Sequence, residues 1–331
     1  MAELTSLVVF IIALALLFDF LNGFHDAANA IATVVVTKTL TPFQAVLLAG
    51  SANFIGYFFF GVAIATTVGK GVIDTAYVTL PLILAALVGA ILWNILTWLL
   101  GLPTSSSHAL IGGLIGSAVV AVGLKAVIFT GVIKIFLFIF IAPIIGMVGA
   151  IIFTTIILWL FHRYDRTKLK NLFKRLQLVS ATVYSVGHGT NDAQKTMGII
   201  TLVLFSAGII PTFHVDNWVI FTCHASIALG TVFGGWRIVK TMGTRITKIR
   251  AMEGFCAETL SALVLLGTAH LGIPVSTTHV IAGSIMGVGT VEHARNVRWV
   301  TARRIIWAWI LTIPATALIA GASYFVISIF L

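Results

Sequence analysis

Charge is scarce in this chain. Only 9% of its 331 residues are Asp, Glu, Lys or Arg, against about 25% in a soluble domain, which excludes a soluble globular fold. Cysteine is scarcer still. Cys223 and Cys256 both lie in apolar stretches, with no pairing pattern and no metal-ligand spacing around them. Neither a disulfide framework nor a zinc site is expected, only buried free thiols. The N-terminus also lacks a basic n-region. MAELTSLVVFIIALALLFDF carries Glu3 and is expected to be a first membrane span, not a cleaved signal peptide.

What the chain has is hydrocarbon. It is 59% apolar, with a mean hydropathy of +1.10. Apolar stretches of about 20 residues recur from end to end, each long enough to cross roughly 30 Å of bilayer as a helix. The fold class is therefore an all-α polytopic membrane protein. The net charge of +10 does not call for nucleic acid, because it gathers in a few loops, as the positive-inside rule requires of cytoplasmic loops.

Taken in order, Leu4–Asn22 is apolar until Asp19 and runs into the polar stretch NGFHDAAN. Spans are expected at Phe43–Thr66 and Val78–Leu100, followed by PTSSSH and a small-residue helix from Ala109 to about Gly123. Ala126–Phe161 is a long apolar run, with Lys134 and Pro143 as points where it could kink or break. Residues 162–176 hold six Lys/Arg against Asp165 alone. This segment is expected to be a cytoplasmic linker between an N-terminal membrane repeat (1–161) and a C-terminal one (177–331). The second part carries spans at about Gln177–Ala207, Trp218–Gly235, Ala251–Gly272 and Ile305–Leu331, with basic loops at Arg237–Arg250 and Arg295–Arg304.

The two parts resemble each other. Gly23-Phe-His-Asp26-Ala recurs as Gly189-Thr-Asn-Asp192-Ala. Pro103-Thr-Ser-Ser-Ser-His108 recurs as Pro274-Val-Ser-Thr-Thr-His279. Gly112 and Gly116 after the first hydroxyl run correspond to Gly283 and Gly287 after the second, a spacing that lets helices approach closely. Corresponding loops differ sharply in basic charge: the one at Lys70 holds one Lys/Arg and its counterpart, Arg237–Arg250, holds five. Equivalent loops are thus expected on opposite sides of the membrane, giving two inverted-topology repeats of about five spans each, with both termini outside. The hydroxyl motifs could be re-entrant hairpins or broken full spans; either returns the chain to the same side. Inverted repeats with polar interruptions at matching places point to a secondary transporter with a midplane site.

A proline followed by Ser/Thr ahead of an apolar run has the form of a helix N-terminus, whose free N–H groups and dipole attract anions, with hydroxyls adding donors. Simple N-capping is the alternative for either motif alone, but a matched pair forms a two-sided oxyanion cage. Asp26 and Asp192 cost roughly 2.5–3.5 kcal/mol each at bilayer depth. They lie among Asn22, Asn29, Asn191 and Gln194. Carboxylate, amide oxygen and freed backbone carbonyl suit a bare alkali cation. A doubly charged anion beside two carboxylates is repelled by several kcal/mol unless cations accompany it, and this is the logic of co-transport. Lys195 could add positive charge. Glu258 is a candidate third cation ligand or gate, or a partner of Arg250. His108 and His279 are expected to brace their hairpins through a ring N–H. His25, His188, His224 and His270 show no ligand spacing. Trp93, Trp98, Trp218, Trp236, Trp299, Trp307 and Trp309 suit interfacial belts.

GFHDAANA, GLPTSSSHALIGGLIG, GHGTNDAQKTMGI and GIPVSTTHVIAGSIMG, in that order, together resemble the inorganic phosphate transporter (PiT) family. The family signature is close to G-x-N-D-x-x-N-A. This chain departs from it at His25 in the first copy and at Gln194-Lys195 in the second. The resemblance implies phosphate import across the cell membrane, coupled to sodium or protons, by a homodimer without a cofactor. It places phosphate at Thr104, Ser105, Ser106, Ser107, Gln194, Ser276, Thr277 and Thr278, and sodium near Asn22, Asp26, Asn29, Asn191 and Asp192. Sodium is favoured over protons because no histidine is spaced as a relay. The competing readings are a proton-coupled (or metal-phosphate) symporter, a sulfate permease on the same scaffold, and an intramembrane serine hydrolase using Ser106 or Ser107 with His108 or His279.

Overall fold

A computed structural model describes residues 2–58 and 61–330, and 84% of the chain is helical. Residues 59–60, inside the expected span Phe43–Thr66, lie outside the described residues. Six helices come first: α1 (Ala2–Val36), α2 (Pro42–Ile55), α3 (Ala63–Gly71), α4 (Leu80–Leu99), α5 (Ser106–Val122) and α6 (Phe129–Phe161). Six more follow: α7 (Arg166–Ser206), α8 (Asn217–Phe233), α9 (Trp236–Lys240), α10 (Ala251–His270), α11 (Thr277–Thr290) and α12 (Trp299–Phe330). Each series runs through a long helix with a polar face, a bent pair, a 20-residue apolar helix, a short helix behind a hydroxyl motif, and a long apolar helix with an internal proline.

Local chemistry sets the boundaries. Thr41 caps α2 in a reciprocal box with Gln44, and Pro42 stands at the first turn, where its missing N–H costs nothing. Asp165 caps α7 by accepting from the N–H groups of Thr167 and Lys168. Because of that cap, most of the expected linker 162–176 is the opening three turns of α7 and not a loop. Pro143 does not break α6, which stays helical over 33 residues. Gly101 and Gly272 take left-handed φ values of 63° and 64° just before the two hydroxyl motifs, which lets α4 and α10 end in tight turns.

Among the described residues, α1, α4, α6, α10 and α12 are long and apolar enough to cross a membrane. The number rises to seven if α2–α3, bent by 85°, and α8–α9, bent by 61°, each count as one span. α7 is long enough at 41 residues but too polar. α5 and α11, with 17 and 14 residues, rise only about 25 and 21 Å, less than the roughly 30 Å hydrocarbon thickness. The outer faces of α6 and α12 expose Phe136, Ile144, Ile152, Leu318 and Phe325, as lipid contact requires.

The short helices cross over between the two series. α5 packs on α12 and α11 on α6. A Cβ at Gly116 would run into the Ala317 carbonyl, and one at Gly287 into that of Met147, so the expected small-residue approach is made at matching places. Backbone bonds from Ile128 N to Val72 O (3.0 Å) and from Arg298 N to Ile246 O (2.8 Å) likewise tie matching loops. Apolar side chains form two clusters. One takes in Val8–Phe18 of α1 and Ala193–Leu204 of α7; the other takes in Ala28–Val34 of α1 and Phe173–Tyr184 of α7. Between those stretches both helices turn polar.

Candidate functional site

On α1, Asp19, Asn22, Asp26, Asn29 and Thr33 recur at spacings of three and four, one buried helical face. On α7, Gln177, Ser180, Tyr184, His188, Asn191 and Lys195 do the same. Neither helix breaks at its polar stretch. The freed carbonyls expected there as cation ligands are therefore absent from α1 and α7, whose backbone groups stay in helix bonds. The Val275 carbonyl, in the extended segment ahead of α11, lies outside helix bonding and accepts from Lys195 Nζ.

The hydroxyl motifs divide their labour. Ser105 and Ser276 are N-caps, each accepting from the histidine N–H three residues on, at 3.2 Å in both cases. The two hydroxyl residues after each cap face the long polar helices. Ser106 donates to Asn22 Oδ1 at 2.5 Å, and Ser107 accepts from Lys195 Nζ at 2.5 Å. Thr277 Oγ1 lies 3.3 Å from Asp26 Oδ2 and 3.2 Å from Asp192 Oδ2. Thr278 donates to Asp26 Oδ2 (3.1 Å) and accepts from Asn29 Nδ2 (2.9 Å). Thr104 turns away to Thr97 at 3.0 Å.

Asp26 and Asp192 therefore meet across one threonine hydroxyl. That hydroxyl has a single proton to share between two carboxylates. Ligand atoms of Asp26, Asp192 and His188 lie within 4.8 Å of one another, so the two negative charges repel by about 3–4 kcal/mol at an effective dielectric of 20. Lys195 relieves part of this. Its ammonium donates to Asp192 Oδ1 at 2.5 Å, and also to Ser107 and to the Val275 carbonyl at 2.9 Å. Lys195 brings one ammonium to two carboxylates, which leaves room for one more cation. Oxygens to complete its shell are at hand: Asn29 Oδ1 and Asn191 Oδ1 are buried without a partner.

The histidines depart most from expectation. His25 Nδ1 is 2.7 Å from Asp26 Oδ1, and His188 Nε2 is 3.3 Å from Asp192 Oδ2. Both touch the carboxylates despite showing no ligand spacing in the sequence. His25 reaches on to Thr97 Oγ1 at 3.3 Å. His108 and His279 pack against each other with ring centroids 4.8 Å apart, bracing the two motifs ring to ring. His279 also stacks on Trp309 at 4.0 Å, and Trp309 Nε1 donates to the Pro103 carbonyl at 3.0 Å. Trp309, expected in an interfacial belt, is thus a core residue joining the motifs.

Two expected site residues stand apart from this centre. Gln194 gives its carbonyl oxygen to the N–H of Ile64 at 2.9 Å, holding the start of α3. Glu258 accepts from Ser180 at 2.5 Å and from Gln177 at 3.0 Å, and Gln177 in turn accepts from Thr37 and Thr39. Its candidate partner Arg250 pairs instead with Glu253 and Glu292. Sequence reasoning left Asp19 without a role. It lies fully buried, bonded to Thr196 at 2.9 Å, and its position two turns before Asp26 was the available signal. Asn53, which meets both His188 and Thr231, carried no such signal.

The phosphate transporter family matches this chain over residues 22–320. A "Probable low-affinity inorganic phosphate transporter" of Rhizobium meliloti is 53% identical over 320 residues, covering 96% of each chain. One of the same description from Bacillus subtilis is 43% identical over 328 residues, covering 98% of each. A solved structure titled "The sodium-dependent phosphate transporter" superposes with a TM-score of 0.91 at 25% identity, covering 98% of this chain and 100% of that one.

Proposed function

The chain belongs to the phosphate transporter family, and from that premise we propose that it imports inorganic phosphate by sodium symport, through a site built at the meeting of α1, α7, α5 and α11. Phosphate binds the hydroxyls of Ser106, Ser107, Thr277 and Thr278 and the free N–H groups opening α5 and α11, with Ser105, Ser276, Thr104 and Gln194 supporting the cage. Sodium binds Asp26 and Asp192, with oxygens from Asn22, Asn29 and Asn191.

The observation that carries this reading is the double engagement of Thr277 with Asp26 and Asp192. The hydroxyls that phosphate needs as donors are held by the carboxylates that the cation needs as ligands. A cation between the carboxylates takes over their oxygens, removes the repulsion, and frees Thr277 and Thr278 to donate to the anion. Each substrate then prepares the site for the other, and neither binds well alone. A hydroxyl cage also suits sulfate, but HPO4²⁻ can donate a hydrogen bond and sulfate cannot, so nearby carboxylate acceptors favour phosphate.

The six-plus-six helix order and the reciprocal bonds between series support two inverted repeats, each with its hydroxyl motif as a re-entrant hairpin. On that topology the termini lie outside, the basic start of α7 lies in the cytoplasm, Glu258 and Gln177 close the inner end of the path, and two chains form a dimer. One observation favours protons as the alternative coupling ion: His25 Nδ1 lies 2.7 Å from Asp26 Oδ1.

The test is phosphate uptake into proteoliposomes under an imposed sodium gradient, an imposed pH gradient, or neither. Sodium-driven accumulation, unaffected by excess sulfate, is expected. Uptake driven by the pH gradient without sodium would replace sodium by protons, and equal inhibition by sulfate would overturn the phosphate assignment.

A further inference from the structure

We infer that the ammonium of Lys195 is a built-in cation, standing where a carrier with a neutral oxygen-bearing residue would take up a free alkali ion. The inference rests on the reading of this site as a cation-coupled carrier and concerns how many cations it needs.

The two aspartates set the register. Three residues after Asp26 stands Asn29, and three residues after Asp192 stands Lys195. Each reaches across to the hydroxyl residue that directly precedes the histidine of the opposite motif: Asn29 donates to Thr278, and Lys195 to Ser107. The positions are thus equivalent in sequence and in contact, but opposite in chemistry. Asn29 keeps a buried, unpartnered Oδ1, an oxygen available to a cation. Lys195 offers no oxygen and brings a charge.

The surroundings of that charge are those of a bound cation. Nζ is held by a carboxylate (Asp192 Oδ1), a hydroxyl (Ser107 Oγ) and a backbone carbonyl (Val275 O). These are three hard oxygens of the kind that hold alkali ions, and they satisfy all three ammonium protons. Lys195 is only 2% exposed. A charge so buried persists because it is fully paired, and a second cation cannot occupy the same oxygens. Lys195 therefore permanently neutralises the Oδ1 side of Asp192, and the one cation exchanged during transport sits between Asp26 and Asp192 Oδ2. Fewer ions move with each phosphate, so import draws less on the ion gradient.

The test is a count. Purified wild-type protein, Lys195→Asn and Lys195→Met are compared for ²²Na⁺ bound per chain at saturation, with and without phosphate. Lys195→Asn makes the second half chemically like the first and is expected to bind one sodium more than wild type. In proteoliposomes its sodium activation of uptake should steepen by one order. Lys195→Met fills the space with neither charge nor oxygen and is expected to gain no sodium and to lose phosphate binding at least tenfold. Equal sodium counts in wild type and Lys195→Asn would overturn the inference. So would wild-type phosphate binding in Lys195→Met, or loss of phosphate binding in Lys195→Asn at every sodium concentration without a gained ion, which would make Lys195 a phosphate ligand. If Lys195→Asn is not recovered folded, Lys195→Gln supplies the same oxygen and is read the same way. A wild-type chain that moves no phosphate, with the sodium counts differing as stated, would defeat the carrier reading and leave the built-in cation standing.

Discussion

Asp26 and Asp192 sit at matching places in the two helix series, yet their partners differ. Asp26 is held by an imidazole and two hydroxyls: His25, Thr277 and Thr278. Asp192 is held by an ammonium, with Thr277 and His188 alongside. The hydroxyl motifs differ in the same sense. The first gives its inward hydroxyls to Asn22 and Lys195, and the second gives its own to the carboxylates. The two motif pairs are alike in sequence, and on the proposed reading Lys195 makes one half-site fixed in charge and leaves the other exchangeable. The proposed coupling resides in the exchangeable half, where the Thr277 and Thr278 hydroxyls are held by carboxylates.

The comparison breaks most visibly at the carboxylates. Asp26→Asn and Asp192→Asn should each reduce coupled phosphate uptake at least a hundredfold, measured as initial rates in proteoliposomes. The two should part company in stability. Asp192→Asn leaves Lys195 buried with its main counter-charge gone, which costs about 3–5 kcal/mol, whereas Asp26→Asn strands no cation. Thermal unfolding in detergent should show a marked drop for Asp192→Asn and little change for Asp26→Asn, and equal drops would erase the proposed asymmetry.

Next in size are the hydroxyls. Thr277→Val removes the bridge between the carboxylates and a donor to phosphate, so phosphate affinity should fall roughly 10- to 100-fold, on the order of 1–3 kcal/mol. Ser106→Ala, which removes the donor to Asn22, should cost less than tenfold. A reversed order would move the coupling element to the first motif. Smallest are the caps. Ser105→Ala and Ser276→Ala should each destabilise by about 1 kcal/mol, equally in both halves, because both cap a histidine N–H at 3.2 Å.

Much of this was legible in the sequence because membrane insertion leaves a strong record. Apolar length identified the helices, and rare polar residues at bilayer depth pointed to the candidate site, where Asp26, Asp192 and hydroxyls of both runs come together. What was not legible depended on tertiary contact. Adjacent positions such as His25 and Asp26 gave no ligand spacing, yet their side chains bond directly. Gln194 shares its turn with Lys195 but points to α3, because a helix fans successive residues by about 100° and only one can face the centre. The unbroken course of α1 through Asn22-Gly23 was hidden as well, since Gly weakens a helix by only about 1 kcal/mol and burial between neighbours easily offsets that. Trp309 looked interfacial by composition and is instead fixed by the Pro103 carbonyl and the His279 ring.

The central claim is that a cation between Asp26 and Asp192 releases the hydroxyls that bind phosphate. The most direct measurement is the phosphate Kd of the purified protein across a sodium series at fixed pH and ionic strength, with the sodium Kd measured across a phosphate series. The account predicts that sodium tightens phosphate binding at least tenfold and that phosphate tightens sodium binding by the same factor, as linkage requires. Phosphate binding that is equally tight with and without sodium would contradict it.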